Sequence, residues 1–265
     1  MRLNEFVSNH SDPRTLVLDE KLSESQVLNI INSKCSEALD MAKQGHKLYR
    51  GINLKPSVSY CLIDPNITPR SSAMGAKNYY TVLMDNLPSW AGYPKRSRSL
   101  ICSSSHGKAG NFGDVYLVLP FNGANLGVFW HDDIWAAKVA GQRMVTLNSF
   151  YARYGVFDES YEKLLITMLV KLPNMAQAEY SSNYNGPFDA IWFNGINQVK
   201  TVQDLEHLLD EMYNPKKCNF SKISINRLPD SNTKPVEIWT DSKAILINTR
   251  SEFYRNLLYK AGSQP

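Results

Sequence analysis

The feature that most constrains how this chain folds is a change of period between residues 43 and 48. From Ser23 to Lys43, Val27, Ile30, Ile31, Ala38, Leu39 and Ala42 recur at helical spacing and make one apolar stripe. Ser23, with Gln26 three residues on, forms a capping-box start, and Gly45 supplies a natural C-terminal stop. Leu48-Tyr49-Arg50-Gly51-Ile52 then reads as a short strand with an arginine in its middle and a glycine directly after it.

The rest of the chain continues this alternation. Asp64-Pro65-Asn66 and Thr68-Pro69 are turn signals within a loop over 64–75. Lys77 to Asn86 reads as a helix, and Pro88 and Pro94 bracket a rigid connection holding Trp90 and Tyr93. Ser99-Leu100-Ile101-Cys102 is a strand opening into Ser103-Ser104-Ser105. Val115 to Leu119 and Leu126 to Trp130 are two more strands. The region 133–171 reads as helical. Ala190 to Phe193 suggests a short strand or core segment. Thr201 with Asp204 caps a helix carrying Leu205, Leu208, Leu209 and Met212. Ile223 to Ile225, Val236 to Trp239 and Ile245 to Ile247 return to strand chemistry. The expectation is a single α+β domain over 1–265, with a helical insertion at about 133–220 and a candidate boundary near 172–186.

Composition narrows the function classes. A hydrophobic fraction of 43% and a charged fraction of 20% over 265 residues are those of a folded domain with a large core. A net charge of +4 is too small for a polycationic nucleic-acid binder. No apolar run approaches the roughly 20 residues that cross a bilayer, and the start lacks the apolar segment of a secretory signal. Cys35, Cys61, Cys102 and Cys218 are widely spread without a C-x-x-C pair, so reduced, buried thiols in a cytosol-like compartment are expected, with no metal site.

Five constellations could carry chemistry. Arg50 inside a strand must snorkel or find an acid. Its functional reading is a guanidinium fork on a carboxylate or phosphate, and its structural one an ordinary salt bridge. Ser103 to Ser105 offer hydroxyls to a ligand or to the backbone that follows, and no G-x-S-x-G elbow surrounds them. Glu237, flanked by Val236, Ile238 and Trp239, is half-buried or faces solvent in an alternating strand. In His131-Asp132-Asp133 the aspartates fit a helix cap better than a metal site. Lys95-Arg96-Ser97-Arg98, beside Trp90 and Tyr93, is a basic patch that reads as a phosphate contact or a solvated loop. No phosphate-cradling P-loop and no Rossmann fingerprint occurs.

Taken in order, these segments resemble the arginine, serine, glutamate pattern of mono-ADP-ribosyltransferases, including the small bacteriophage enzymes that modify host proteins. The resemblance rests on Leu48-Tyr49-Arg50-Gly51, on Ile101-Cys102-Ser103-Ser104-Ser105 leading into Lys108 to Gly113, and on Val236-Glu237-Ile238. It covers roughly 24–120 and the C-terminal strands. It implies split mixed or antiparallel β-sheets flanked by helices, and NAD as substrate. Arg50, with Gly51, would hold the pyrophosphate or ribose side of NAD. Ser103, with Ser105 as its rival in register, would support the nicotinamide ribose. Glu237 would stabilise the oxocarbenium-like centre as nicotinamide leaves, with Asp241 as the alternative acid. Tyr79, Tyr80 or Trp90 would stack on a ring. Pro235 stands where the arginine-directed members carry a second glutamate, and Ser-Ser-Ser replaces Ser-Thr-Ser.

The implied activity is transfer of ADP-ribose to a macromolecular acceptor, protein or nucleic acid, in the cytoplasm of a host cell. Two other classes stay open. One is a non-enzymatic binding or virion-associated protein on the same scaffold. The other is a nucleic-acid-binding or modifying protein using Lys95 to Arg98.

Overall fold

The structure, a computed structural model, describes residues 15–17, 23–54, 58–67, 79–134, 138–139, 142–143, 201–230 and 234–259. They fall into two compact units. The first draws on 1–74, 93–133 and 221–265, the second on 75–92 and 134–220. The helices expected over 133–171, the segment Ala190 to Phe193 and the boundary near 172–186 lie almost wholly outside the described residues, but Lys138–Val139 and Gln142–Arg143, within the expected helical stretch, pair as antiparallel strands instead.

The first unit is organised by a sheet. Its strands are β1 (Thr15–Val17), β2 (Tyr49–Ile52), β3 (Tyr60–Ile63), β4 (Leu100–Ser103), β5 (Asp114–Pro120) and β6 (Asn125–Phe129). A two-stranded ribbon, β7 (Lys138–Val139) with β8 (Gln142–Arg143), stands apart from it in the sheet pairing. The main sheet then resumes with β9 (Phe220–Ser224), β10 (Glu237–Thr240) and β11 (Ala244–Asn248). Its order is β1-β3-β11-β5-β2-β4-β10-β6-β9, nine strands in all. The described ladders are antiparallel throughout. This is an α+β architecture. Where the resemblance implies split sheets, hydrogen bonding here links the strands into one. The link is narrow: β2 pairs with β5 over four residues, whereas its described register with β4 is the single pair Tyr49↔Ser103.

The apolar runs explain the centre of this sheet. Ala244, Ile245, Leu246 and Ile247 of β11 are all fully buried, as are Leu117 and Leu119 of β5. Strands covered on both faces read as continuous apolar segments rather than alternating ones. Each such leucine or isoleucine side chain contributes about 1.5–3 kcal/mol through burial.

The helical stretch from Ser23 divides in two, α1 (Glu24–Lys34) and α2 (Ser36–Lys43). The capping box at Ser23 and Gln26 forms as the sequence predicts. The division at Cys35 comes from a side chain distant in sequence. Asn122 donates its backbone N–H to Lys34 O at 2.6 Å and its Nδ2 to Ser33 O at 3.4 Å, closing α1. Its Oδ1 accepts the Glu37 N–H at 3.1 Å, opening α2. An inserted polar group of this kind interrupts a helical ladder. Gly45, at φ +99, ends α2: its N–H reaches Ala42 O, and the His46 N–H reaches Met41 O. That is a Schellman closure, which favours glycine at this position.

The second unit contains α3 (Tyr79–Asn86) and, after α4 (His106–Gly110) of the first unit, α5 (Val202–Met212). Thr201 and Asp204 form the expected capping box. Trp90 is 2% exposed, donates its indole N–H to Tyr213 O at 2.9 Å and packs edge-on against Phe220. The first unit ends in α6 (Glu252–Tyr259), which buries Phe253 and Tyr254. Among the described residues no helix is long and apolar enough to cross a membrane.

Candidate functional site

The sheet order brings the three sequence-distant segments onto neighbouring strands: Arg50 on β2, Ser103 on β4 and Glu237 on β10. Ser103 pairs with Tyr49 on one side and with Glu237 on the other, and Glu237 pairs onward with Phe129. Residues paired across strands leave the sheet on the same face, and their chain neighbours leave on the opposite one. Tyr49, Ser103, Glu237 and Phe129 therefore form one row on one face. Arg50, Cys102 and Ile238 form the adjacent row on the other. Glu237 and Ser103 are brought together, while Arg50 lies one row away and faces across the sheet.

Arg50 is 5% exposed, and its Nη1 donates to Ile101 O at 2.9 Å. Had the β2–β4 ladder continued past Tyr49↔Ser103, Gly51 would stand opposite Ile101. The guanidinium thus bonds a carbonyl at the point where the two strands part. Gly51 is not an open approach to a ligand. A Cβ built there would lie 1.9 Å from Ala109 O, so α4 lies directly on the backbone of β2. Tyr49 meets His106 of the same helix edge-on, with ring centres 5.3 Å apart.

The serines divide their work. Ser105 caps α4, its Oγ accepting the Lys108 N–H at 3.4 Å. Ser104 is 1% exposed and binds the chain ahead of β10 twice, donating its N–H to Val236 O and accepting the Val236 N–H on Oγ. Ser103 Oγ accepts the Ser105 N–H at 3.1 Å. As a hydroxyl it also has a hydrogen to donate.

Glu237 is 9% exposed and sits at the start of β10, where its N–H donates to His131 O at 2.7 Å. Its carboxylate Oε1 lies 2.5 Å from Arg96 Nη2. Arg96 is 2% exposed, and its guanidinium carbon stands 5.2 Å from the centre of the Trp239 ring. Arg96 is the residue that sequence reasoning missed at this site, where it appeared only as part of the patch Lys95 to Arg98. The strand gives a signal that finds it. Glu237, Trp239 and Asp241 alternate, so an acid, an aromatic and an acid share one face and call for a nearby cation. The short 3₁₀ segment Arg96–Arg98 and its approach meet all three: Arg96 meets Glu237, Pro94 O accepts the Trp239 indole N–H at 3.0 Å, and Asp241 Oδ2 accepts the Lys95 N–H at 3.1 Å. Asp241, the alternative acid, therefore caps a backbone turn.

Cys102 stands between the two charges. Burial pushes its thiol up to about 12, with Arg50 pulling it down and Glu237 pushing it further up, so both charges act on one interior point. A thiol at this value is not ionised near neutrality and is no nucleophile. Cys35, Cys61 and Cys218 are likewise buried thiols.

At the rim, Lys108 Nζ lies 2.6 Å from Asp132 Oδ2, and His131 Nδ1 lies 2.6 Å from Asp132 Oδ1. The hydrogen bond from Lys108 holds the Asp132 carboxyl below its ordinary value, against the opposing effect of partial burial. Among the described residues no group of three or more His, Cys, Asp or Glu could hold a metal ion. Trp90, a stacking candidate, is enclosed in the second unit, and the side chains of Tyr79 and Tyr80 lie outside the described residues.

Compared with known protein families, curated proteins and solved structures, the chain finds no match. The class established is the one its fold defines: an α+β protein built on an antiparallel sheet, with a buried acid–arginine pair at its centre.

Proposed function

We propose that this protein transfers ADP-ribose from NAD to a macromolecular acceptor, with release of nicotinamide. The observation that carries this reading is the adjacency of β2, β4 and β10, which sets Ser103 beside Glu237 and next to the strand of Arg50. In this reading the bond between the ribose C1′ and the nicotinamide nitrogen breaks, and its electron pair returns to the pyridinium ring. The ribose becomes oxocarbenium-like. A carboxylate held beside that centre opposes the developing charge, an effect strengthened where water is excluded. Glu237 supplies the carboxylate, and Ser103 a hydroxyl one strand away. The acceptor's nucleophile then bonds to C1′, and its proton passes to water. Arg50 gives one guanidinium N–H to Ile101 O, and an arginine has further N–H donors with which to meet an NAD phosphate.

A second reading, a non-enzymatic binding or virion-associated protein, is favoured by one observation. Glu237 and Arg50 are both buried and both engaged within the protein. A nucleic-acid interface at Lys95 to Arg98 gains less, because Arg96 is enclosed rather than presented.

Incubation with NAD labelled in the adenylate moiety, in a cell lysate, separates these readings. Label transfer and nicotinamide release are expected from the wild type and from Asp241→Asn, and loss of both from Glu237→Gln. No transfer and no nicotinamide release from folded wild-type protein would overturn the enzymatic reading.

A further inference from the structure

We infer that Arg96 is the positioning residue of this site: it fixes the Glu237 carboxylate in place and does not itself touch NAD. The inference rests on the ADP-ribosyl transfer reading and adds to it a residue outside the arginine, serine, glutamate pattern.

Burial carries the argument. At 2% exposure, the Arg96 guanidinium lies behind Glu237, Trp239 and its own segment, so a soluble phosphate cannot reach it without the segment moving. A buried guanidinium keeps its charge and its planar fork, and it orients the carboxylate 2.5 Å away.

The segment bearing Arg96 is strapped to β10 at alternate residues. Besides the Arg96–Glu237 pair, the Trp239 indole bonds Pro94 O and the Lys95 N–H bonds Asp241. Ser99 Oγ donates to Lys95 O at 2.7 Å, closing the turn from its other end. Gly127 on β6 completes the seat. A Cβ there would come 2.1 Å from Trp239 Cε2, so glycine lets the indole lie against the strand and present its ring to Arg96. An orienting group with this many restraints costs no reorganisation when the reaction starts.

A positioning role predicts a particular kinetic split. Nicotinamide release is measured against NAD concentration for wild type, Arg96→Met, Arg96→Lys and Arg98→Ala, with near-UV circular dichroism confirming the fold of each. Arg96→Met should lower kcat about a hundredfold, the scale expected when a catalytic group shifts by about 1 Å. KM for NAD should stay within about twofold of wild type, because binding groups are untouched. Arg96→Lys keeps the charge without the planar fork and should recover kcat to about tenfold below wild type. Arg98→Ala should behave as wild type. Wild-type kcat in Arg96→Met, or a loss lying wholly in KM, would overturn the inference while leaving the transfer reading intact. No nicotinamide release from wild type overturns both. Should Arg96→Met not fold, Arg96→Lys decides alone: a lowered kcat with unchanged KM supports the role, and an unchanged kcat overturns it.

Discussion

Two buried arginines flank the centre of the sheet, and they are held in opposite ways. Arg50 arises inside β2, the place where an arginine looks most anomalous in sequence, and it bonds a backbone carbonyl where two strands part. Arg96 arises in a basic loop that looks like ordinary solvated surface, and it meets the buried acid and the face of a tryptophan. The difference teaches that an anomalous position in a strand reports a steric problem to be solved. The partner of a buried charge is decided by which loop the fold lays over it. A carbonyl is a neutral acceptor and a carboxylate a charged one, so the two arginines also differ in energetic consequence.

The largest expected effect follows from that difference. Arg96→Met leaves the Glu237 carboxylate buried beside an apolar group, which should lower unfolding free energy by about 3–5 kcal/mol in a denaturant titration. Arg50→Met removes a charge-assisted bond to a carbonyl and relieves a buried cation at the same time, so a smaller loss, at most about 2 kcal/mol, is expected. Equal losses in the two variants would dissolve the distinction between them.

Gly51→Ala tests the other side of the comparison, that the ground beside Arg50 is filled by α4 rather than left open for a ligand. The 1.9 Å approach to Ala109 O forces the helix off the strand, and overpacking of this kind costs about 1–3 kcal/mol. A thermal midpoint unchanged by Gly51→Ala would show that α4 does not sit on β2. The smallest effect belongs to the rim. The Asp132 carboxyl is held low by Lys108, so its contribution to stability is present above the ordinary carboxylate pKa of about 3.9 and is lost as pH falls through the lowered folded value. Asp132→Asn should slightly reduce the fall in thermal midpoint on acidification below that pH, and added salt should shrink the difference because Lys108 is exposed and Asp132 only half-buried.

Much of the fold is legible in the sequence where the signal is local. Ser23 with Gln26, Thr201 with Asp204, and Gly45 at positive φ mark their helix ends as the residue chemistry requires. The central strands fall on the apolar runs from Val115, Leu126, Val236 and Ile245. Tyr60 to Ile63 is too short for periodicity to separate it from the turn that follows. The break at Cys35 is set by Asn122, a partner no local pattern contains.

The candidate site divides along the same line. Ser103 and Glu237 come together because strand register is a property of alternation and pairing, which sequence order partly reflects. The same alternation turns Arg50 to the other face. Arg96 was illegible as a partner because charge in a sequence carries no record of burial. The alternating Glu237, Trp239 and Asp241 announced a need for a cation but not its address.

The central claim, that Arg96 is the ion-pair partner of Glu237, is tested most directly by two double-mutant cycles on unfolding free energy. One pairs Arg96→Met with Glu237→Gln, the other Arg50→Met with Glu237→Gln. Contacting residues couple by about 0.5–3 kcal/mol, and residues without shared contacts add to within about 0.5 kcal/mol. The account predicts coupling in the upper part of that range for Arg96 and a clearly weaker coupling for Arg50, which shares Cys102 with Glu237. Additivity for Arg96, or equal coupling in both cycles, would contradict it.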